Sequence, residues 1–277
     1  MLLSNLDRAV LTTLKSRVLG QLKSDLRIAV LGNCQSFDLA YAMKLLNVGA
    51  SVHHYPVQTK AKITGKMLVR ALRTYDHVFL QDFGAGLING GSADLICSEL
   101  ASTTRYPTLL FGAYHPDSIF INRSKSDTFV SGPIGQHHSA LALFAYRAGL
   151  AHETAQSLYK REVYETLGYL DLWQLACKQL LEQARSYGLK LHADLINWAR
   201  RGCFMYTINH PKSYVFFDVA RHLLEKARLP CTPVAFEHYA INELARDTVF
   251  PVYPRLPNSS AFPAATYSKH PNNLVAD

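Results

Sequence analysis

Arg27-Ile28-Ala29-Val30-Leu31-Gly32-Asn33-Cys34-Gln35-Ser36 is the stretch on which the fold turns. Arg27–Leu31 reads as a short apolar strand, the residues from Gly32 on as a polar turn, and Phe37–Leu46 as a helix. The same rhythm repeats downstream. Ser51–Tyr55 reads as a strand, Ile63–Arg73 as a helix, Asp76–Gln81 as a buried strand, Ala93–Ala101 as a helix and Thr108–Phe111 as a fourth strand. Strands separated by helices of this length imply right-handed βαβ crossovers and a mostly parallel sheet.

The rhythm changes after Gly135. Helical patterns run over His138–Ala148, Thr154–Thr166, Leu170–Tyr187 and Leu191–Trp198, and again over Tyr214–Ala227. Phe204–Ile208 reads as a strand or extended segment, and the chain beyond Val249, rich in Pro, Ser and Asn, as loop. The expected fold class is α/β, with a mostly parallel sheet in the N-terminal half and a large helical region in the C-terminal half. A soft boundary near residue 134 separates an α/β sheet domain (1–134) carrying the Gly32–Gln35 motif from a mainly helical region (135–277) that completes the site. One compact domain is also compatible with the pattern.

The 277 residues, 48% hydrophobic and 18% charged, suit a globular protein with a real core, and no apolar run approaches the about 18 residues of a membrane span. Leu3, Leu6, Val10, Leu14 and Val18 follow helical spacing while Asp7, Arg8, Lys15 and Arg17 interrupt any apolar core. That is an amphipathic helix and not a signal peptide, expected to pack on its own domain or a second subunit rather than on a membrane. Leu31-Gly32-Asn33-Cys34 lacks the hydrophobic stretch of a lipoprotein signal. The five cysteines are odd in number, far apart and without a CxxC, which fits a reducing cytoplasm better than a disulfide framework. The net charge of +8 suits nucleic acid, anionic lipid or a phosphate-rich small ligand, but the basic residues form no dense run, which argues against nucleic acid. Lys60, Lys62, Lys66, Arg123 and Lys125 stand where phosphates could be gripped, although each reads first as solvated surface.

Ligands of an open parallel sheet bind at the C-terminal ends of its strands. The residues expected there are Gly32-Asn33-Cys34-Gln35, then Gln81-Asp82-Phe83-Gly84, then Gly112-Ala113-Tyr114-His115-Pro116-Asp117. Cys34 opens a helix, where unpaired N–H groups favour an anion and lower a thiol's pKa. The same N–H groups, helped by the amides of Asn33 or Gln35, suit the oxyanion of acyl transfer. Gly32 permits a tight turn and close ligand approach. The plain alternative is a small residue at a crowded turn. A phosphatase loop would put arginine where Ala40 stands, and a hydrolase elbow would put glycine where Ser36 stands. The pattern is closer to the first block of GDSL-type hydrolases with cysteine in the serine's place.

A thiol nucleophile needs a base, and the candidates are His115, His137, His138 and His210. For each alone, a structural hydrogen bond is the simpler role. Asp117 lies near His115 in sequence and equally suits capping a turn. No HExxH or cysteine pair has metal spacing, and His53-His54 and His137-His138 diverge as neighbours, so no metal is expected. No GxGxxG or Walker motif is complete. Ile88-Asn89-Gly90-Gly91-Ser92 opens a helix and reads as loop or as a phosphate site.

Gly32-Asn33-Cys34-Gln35, Phe111–Asp117, Gly132–Ser139 and Thr207–Pro211 occur in an order that resembles the WcbI-like polysaccharide biosynthesis acetyltransferases of bacterial capsule clusters, over roughly residues 27 to 225. The resemblance implies an enzyme that takes an acetyl group from acetyl-CoA to a sugar hydroxyl of a capsular or related polysaccharide. On that reading Cys34 and His210 react, Asn33 and Gln35 stabilise charge, and His115 and Asp117 orient substrate or base. Gly32, Gln81, Tyr114, Gln136, His137, His138, Ser139, Asn209 and Lys212 form the candidate coenzyme A-binding set. Cys34 either carries the acetyl group as a thioester or lines the site while a histidine activates the sugar for direct attack. The partners are a small acyl donor and a sugar or polysaccharide acceptor, without nucleic acid or a transmembrane segment. A homo-oligomer is compatible, as is a cytoplasmic place at the inner membrane's surface. The rivals are a thioesterase or glycan deacetylase using Cys34, and a non-catalytic glycan- or nucleotide-binding module.

Overall fold

The computed structural model describes residues 4–18, 26–57, 61–83, 86–122, 129–132, 135–232, 242–246 and 248–252. In chain order its elements begin with α1 (Asn5–Val18), β1 (Leu26–Gly32), α2 (Gln35–Leu46), β2 (Ala50–Pro56), α3 (Gly65–Leu72), β3 (His77–Leu80), α4 (Ala93–Glu99) and β4 (Thr103–Arg105). They continue with β5 (Ser118–Phe120), β6 (His137–Ser139), α5 (Ala140–Arg147), α6 (His152–Gln156), α7 (Arg161–Thr166), α8 (Leu172–Ser186), α9 (His192–Arg200), β7 (Met205–Thr207), β8 (His210–Pro211) and α10 (Ser213–Lys226). Two compact units share them. The first comprises Met1–Thr108, Gln183–Leu191 and Ser213–Asn242; the second comprises Leu109–Glu182, His192–Lys212 and Glu243–Asp277.

In the first unit four parallel strands lie in the order β2-β1-β3-β4. This is the parallel sheet that the strand–helix alternation implies. Strand β1 is central and buried on both faces, which is why Ile28-Ala29-Val30-Leu31 carries no polar alternation. Ala29 and Leu31 join Leu68, Leu72 and Ile96 of α3 and α4 in one core, to which α1 adds Leu6 and Val10. Helix α2 packs on β1 and β2, and α10, in which Val215, Phe216, Leu223 and neighbouring residues are buried, packs on α2.

The N-terminal amphipathic helix thus packs on its own unit, and a buried carboxylate fastens it there. Asp7 accepts hydrogen bonds from the Lys62 and Ile63 N–H groups at 2.7 and 2.8 Å and from the Ser4 N–H and hydroxyl at 2.9 and 2.8 Å. Burial pushes its pKa up, but these donors outweigh burial and hold it below the ordinary carboxylate value.

The second unit has short pieces. β5 pairs antiparallel with β6, and β7 with β8. Phe111, Tyr114, Trp173 and Phe204 pack ring on ring, with Trp198 against Phe204. Leu141, Tyr164 and Phe250 form a second cluster.

Three expectations are corrected. The fourth strand is Thr103–Arg105 and not Thr108–Phe111. In the latter run Leu110 is exposed and the Phe111 N–H bonds the Ile208 carbonyl, so from Leu109 on it joins the second unit rather than the sheet. The pattern read as a helix from His138 begins as strand β6, and the helix starts at Ala140 after Ser139 caps it, accepting from the Ala142 N–H at 2.9 Å. Thr154–Thr166 holds parts of two helices, α6 and α7, because the chain turns at Ser157–Lys160 between them. The loop expected after Val249 falls from residue 253 on outside the described residues, as do Lys60, Arg123 and Lys125. No helix among the described residues is long and apolar enough to cross a membrane.

Candidate functional site

At the C-terminal end of β1 the chain makes a turn whose main chain is almost fully committed. The Asn33 N–H donates to Gln81 Oε1 at 2.8 Å, and the Gln35 N–H to Asn33 Oδ1 at 2.9 Å. The Ser36 hydroxyl donates to the Asn33 carbonyl at 2.8 Å, and the Val57 N–H to the Gly32 carbonyl at 2.6 Å. Gln81 itself, buried at the end of β3, also donates Nε2 to the Pro107 carbonyl at 3.4 Å. The amides of Asn33 and Gln81 therefore shape this turn, and the Gln35 side chain is buried at the first residue of α2.

Gly32 is required by close packing rather than by an unusual backbone angle. A carbon added there would lie 2.5 Å from the Tyr106 hydroxyl and in collision with the Gln81 amide. Tyr106 donates its hydroxyl to the Leu31 carbonyl at 2.8 Å and closes the turn from the β4 side. Sequence reasoning missed it. With β4 at Thr103–Arg105, Tyr106 is the residue that follows the fourth strand, the position where the reading had set Gly112–Asp117.

Cys34 is the N-cap of the 12-residue helix α2 and is half-buried. Its side chain makes no capping bond to α2. Burial pushes the Tyr106 phenol well above its ordinary pKa, and negative charge on Cys34 pushes it further the same way. A neutral, buried hydroxyl beside the cysteine results. At the same sheet edge Arg105 pairs with Asp82 at 2.9 Å and with Asp94, and the Tyr187 hydroxyl donates to Asp82 at 2.5 Å.

The histidines gather in the second unit. His137 and His210 meet edge-on with ring centroids 5.9 Å apart, and both His115 and His137 pack against Phe250, at 5.9 and 6.3 Å. All three histidines are buried. His115 Nδ1 lies 3.3 Å from the Pro251 carbonyl, and burial pushes its pKa down to about 4 against the pull of the Pro251 and Met205 carbonyls. It is therefore neutral at ordinary pH. His137 Nδ1 lies 3.2 Å from the Ser118 hydroxyl.

The remaining candidates in this unit have structural partners. Asp117 Oδ1 accepts from the Leu141 N–H at 2.9 Å and the Tyr169 hydroxyl at 3.2 Å, fastening the start of α5. Tyr114 donates to the Gly202 carbonyl at 3.0 Å from within the aromatic core. His138, one step along β6 from His137, bonds the Val130 carbonyl at 2.9 Å, and the Ser139 hydroxyl lies 2.6 Å from that of Tyr159. Gln136 is exposed in the turn before β6. Asn209 Oδ1 accepts from the Thr207 hydroxyl at 2.9 Å in the β7–β8 turn, and the Lys212 ammonium stands 5.7 Å from the Tyr206 ring centre. Ser92, from the glycine-rich stretch, caps α4 by accepting the Leu95 N–H at 3.1 Å.

The structure thus brings Gly32, Asn33, Cys34, Gln35 and Gln81 together in one unit, and His115, His137 and His210 in the other. Among the described residues no group of three or more His, Cys, Asp or Glu is arranged to hold a metal. The committed turn at Cys34 can present a thiol at a helix start in a fixed position, the arrangement that nucleophilic or thiol–disulfide chemistry requires.

A family model described as polysaccharide biosynthesis enzyme WcbI matches residues 27–232. A solved structure described as WcbI, a novel polysaccharide biosynthesis enzyme, in native form without a disulfide bond between coenzyme A and one of its cysteines, is similar in fold. Its TM-score is 0.57 at 14% identity, over 83% of this chain and 77% of that one. No match was found among curated protein sequences.

Proposed function

Since this chain belongs to the family of the polysaccharide biosynthesis enzyme WcbI, we propose that it is a coenzyme A-dependent acetyltransferase acting on a sugar hydroxyl of a capsular or related polysaccharide. The observation that carries the proposal is the Cys34 turn: a half-buried cysteine at the start of α2, on main chain fixed by Gln81 and Asn33. The related solved protein, described by whether a disulfide joins coenzyme A to one of its cysteines, supports coenzyme A as the ligand in this reading.

In the reaction the Cys34 thiolate attacks the acetyl carbonyl of acetyl-CoA. The carbonyl oxygen takes up negative charge, then the C–S bond to coenzyme A breaks and coenzyme A leaves as thiolate. The sugar hydroxyl then attacks the Cys34 thioester and gives its proton to a base; the C–S bond to Cys34 breaks, the O-acetyl ester leaves and Cys34 is restored as thiolate. Thioester exchange in the first step is nearly isoenergetic. The burial that keeps His115 neutral suits it to hold chain rather than to cycle protons. A cytoplasmic location is part of the same reading, since it supplies the acetyl-CoA donor.

Calorimetric titration with coenzyme A, followed by intact mass after acetyl-CoA, tests this. Binding together with an acetyl adduct that Cys34→Ala abolishes is the expected result. Absence of binding overturns the proposal. Binding and sugar acetylation without an adduct assign direct transfer, with Cys34 lining the site. A second reading, thioester hydrolysis at the same turn, is favoured if acetate is released as fast without a sugar as with one.

A further inference from the structure

One buried phenol reaches across the C-terminal edge of the sheet from β4 to β1. The Tyr106 N–H donates to the Leu80 carbonyl at 3.0 Å and so extends the β3–β4 ladder by one step. Its ring passes β3, and its hydroxyl donates to the Leu31 carbonyl of β1 at 2.8 Å. That carbonyl also accepts the Gln81 N–H at 3.0 Å, so both of its lone pairs are used. The hydroxyl oxygen lies 2.5 Å from where a side-chain carbon on Gly32 would stand, and so rests against the Gly32 α-carbon. Tyr106 is only 2% exposed, and burial keeps the phenol un-ionised, so the proton it donates stays in place.

The Leu31 carbonyl does not need this hydroxyl to be satisfied, since the Gln81 N–H alone would do that. What the hydroxyl adds is a tie between the three-residue edge strand β4 and the end of β1, just before Cys34. From other directions the turn is held by the Val57 N–H on the Gly32 carbonyl and by Gln81 Oε1 on the Asn33 N–H. The peptide groups that lead from Leu31 to Cys34 are thus fastened to the end of β2, to β3 and to β4. The place of the sulfur follows the main chain that carries it. N–H groups at a helix start favour a thiolate only while the sulfur stays near them. A displacement of about 1 Å costs a group-transfer step about 10²-fold.

We infer that Tyr106 is a positioning residue for Cys34: its hydroxyl, acting through the Leu31 carbonyl and the Gly32 α-carbon, fixes where the sulfur stands at the start of α2. The inference rests on the reading of Cys34 as the reacting group and adds the residue that holds it in register.

The test follows alkylation of Cys34 by iodoacetamide at neutral pH in the full chain, with the labelled cysteine identified by peptide mass. Tyr106→Phe keeps the ring, removes the hydroxyl and leaves no carbonyl orphaned. Thr104→Val is the control, because it removes another buried hydroxyl from the same strand, one that lies 2.9 Å from His77 Nε2. Tyr106→Phe is expected to slow Cys34 alkylation about tenfold, and Thr104→Val to leave it as in the unaltered protein. Thermal unfolding of both variants, measured alongside, separates lost stability from the effect on the sulfur. With acetyl-CoA, an adduct on Cys34 should form more slowly in Tyr106→Phe by a similar factor, while coenzyme A affinity stays the same. Alkylation of Tyr106→Phe at the unaltered rate or faster, or equal slowing by Thr104→Val, overturns the inference. So does a loss of coenzyme A affinity in Tyr106→Phe, which would make Tyr106 a binding residue. Absence of an acetyl adduct on the unaltered protein counts instead against Cys34 as acyl carrier, and the alkylation rates still decide on Tyr106.

Discussion

At the Cys34 turn side-chain amides fix the main chain that carries the candidate residues, whereas around His115, His137 and His210 rings pack on rings. The first site is set by the Gln81 and Asn33 amide oxygens, which hold the Asn33 and Gln35 N–H groups, and by the absence of a side chain at Gly32. The second is set by how imidazoles lie on Phe250 and on each other. The two units should therefore fail in opposite ways: the first when a carbon is added, the second when volume is removed.

The largest expected effect lies in the second unit. Phe204 is fully buried against Phe111, Tyr114 and Trp198. Phe204→Ala should cost about 3–5 kcal/mol in denaturant unfolding. A cost under about 1 kcal/mol would mean that ring packing is not what holds this unit.

Next comes the added carbon. Gly32→Ala should cost about 1–3 kcal/mol, since Tyr106 and Gln81 must both move. Gly112→Ala in the second unit, where an added carbon meets nothing within 4 Å, is the matched control and should be near neutral. Equal costs at the two positions would erase the contrast.

The smallest effect is one the units share. His77 in the first and His115 in the second are both buried and pushed down to about 4 from 6.5, in each case chiefly by burial. Protons therefore bind the unfolded chain more tightly. The stability due to each neutral histidine is fully present above about pH 6.5 and is lost as pH falls from there towards about 4. The slope is at most about 1.4 kcal/mol per pH unit per histidine. Unfolding at pH 7 and pH 5 should show His77→Gln and His115→Gln each less pH-dependent than the unaltered protein. An unchanged slope in either variant would show that its histidine is not held neutral.

Much of the first unit was legible because a parallel sheet covered on both sides writes itself as short apolar runs between helices. Ile28–Leu31 and Val78–Leu80 carry that signal plainly. Thr103–Arg105 does not, since a three-residue edge strand with polar ends looks like loop, while Thr108–Phe111 beside it has the composition of a strand and no partner in the sheet. That one exchange hid Tyr106. The Cys34 turn was legible as a position but not as a mechanism of support: nothing local in Asn33-Cys34-Gln35 says that Gln81, a distant residue, holds it. The histidine cluster was legible as three motifs, while its dependence on Phe250, from a part of the chain read as loop, was not. Short strands such as β6 stayed hidden because three residues are too few to show a period.

The cover that α10 lays over α2 has a consequence for the chain's birth. Everything else in the sheet layer is made by Thr108, except the short stretch Gln183–Leu191, yet the helix that covers α2 begins only at Ser213. At ordinary translation speeds the ribosome needs roughly 5–20 s to cross that interval. Throughout it the nascent sheet layer stands without the helix that covers α2, and that flank closes only once α10 has been made.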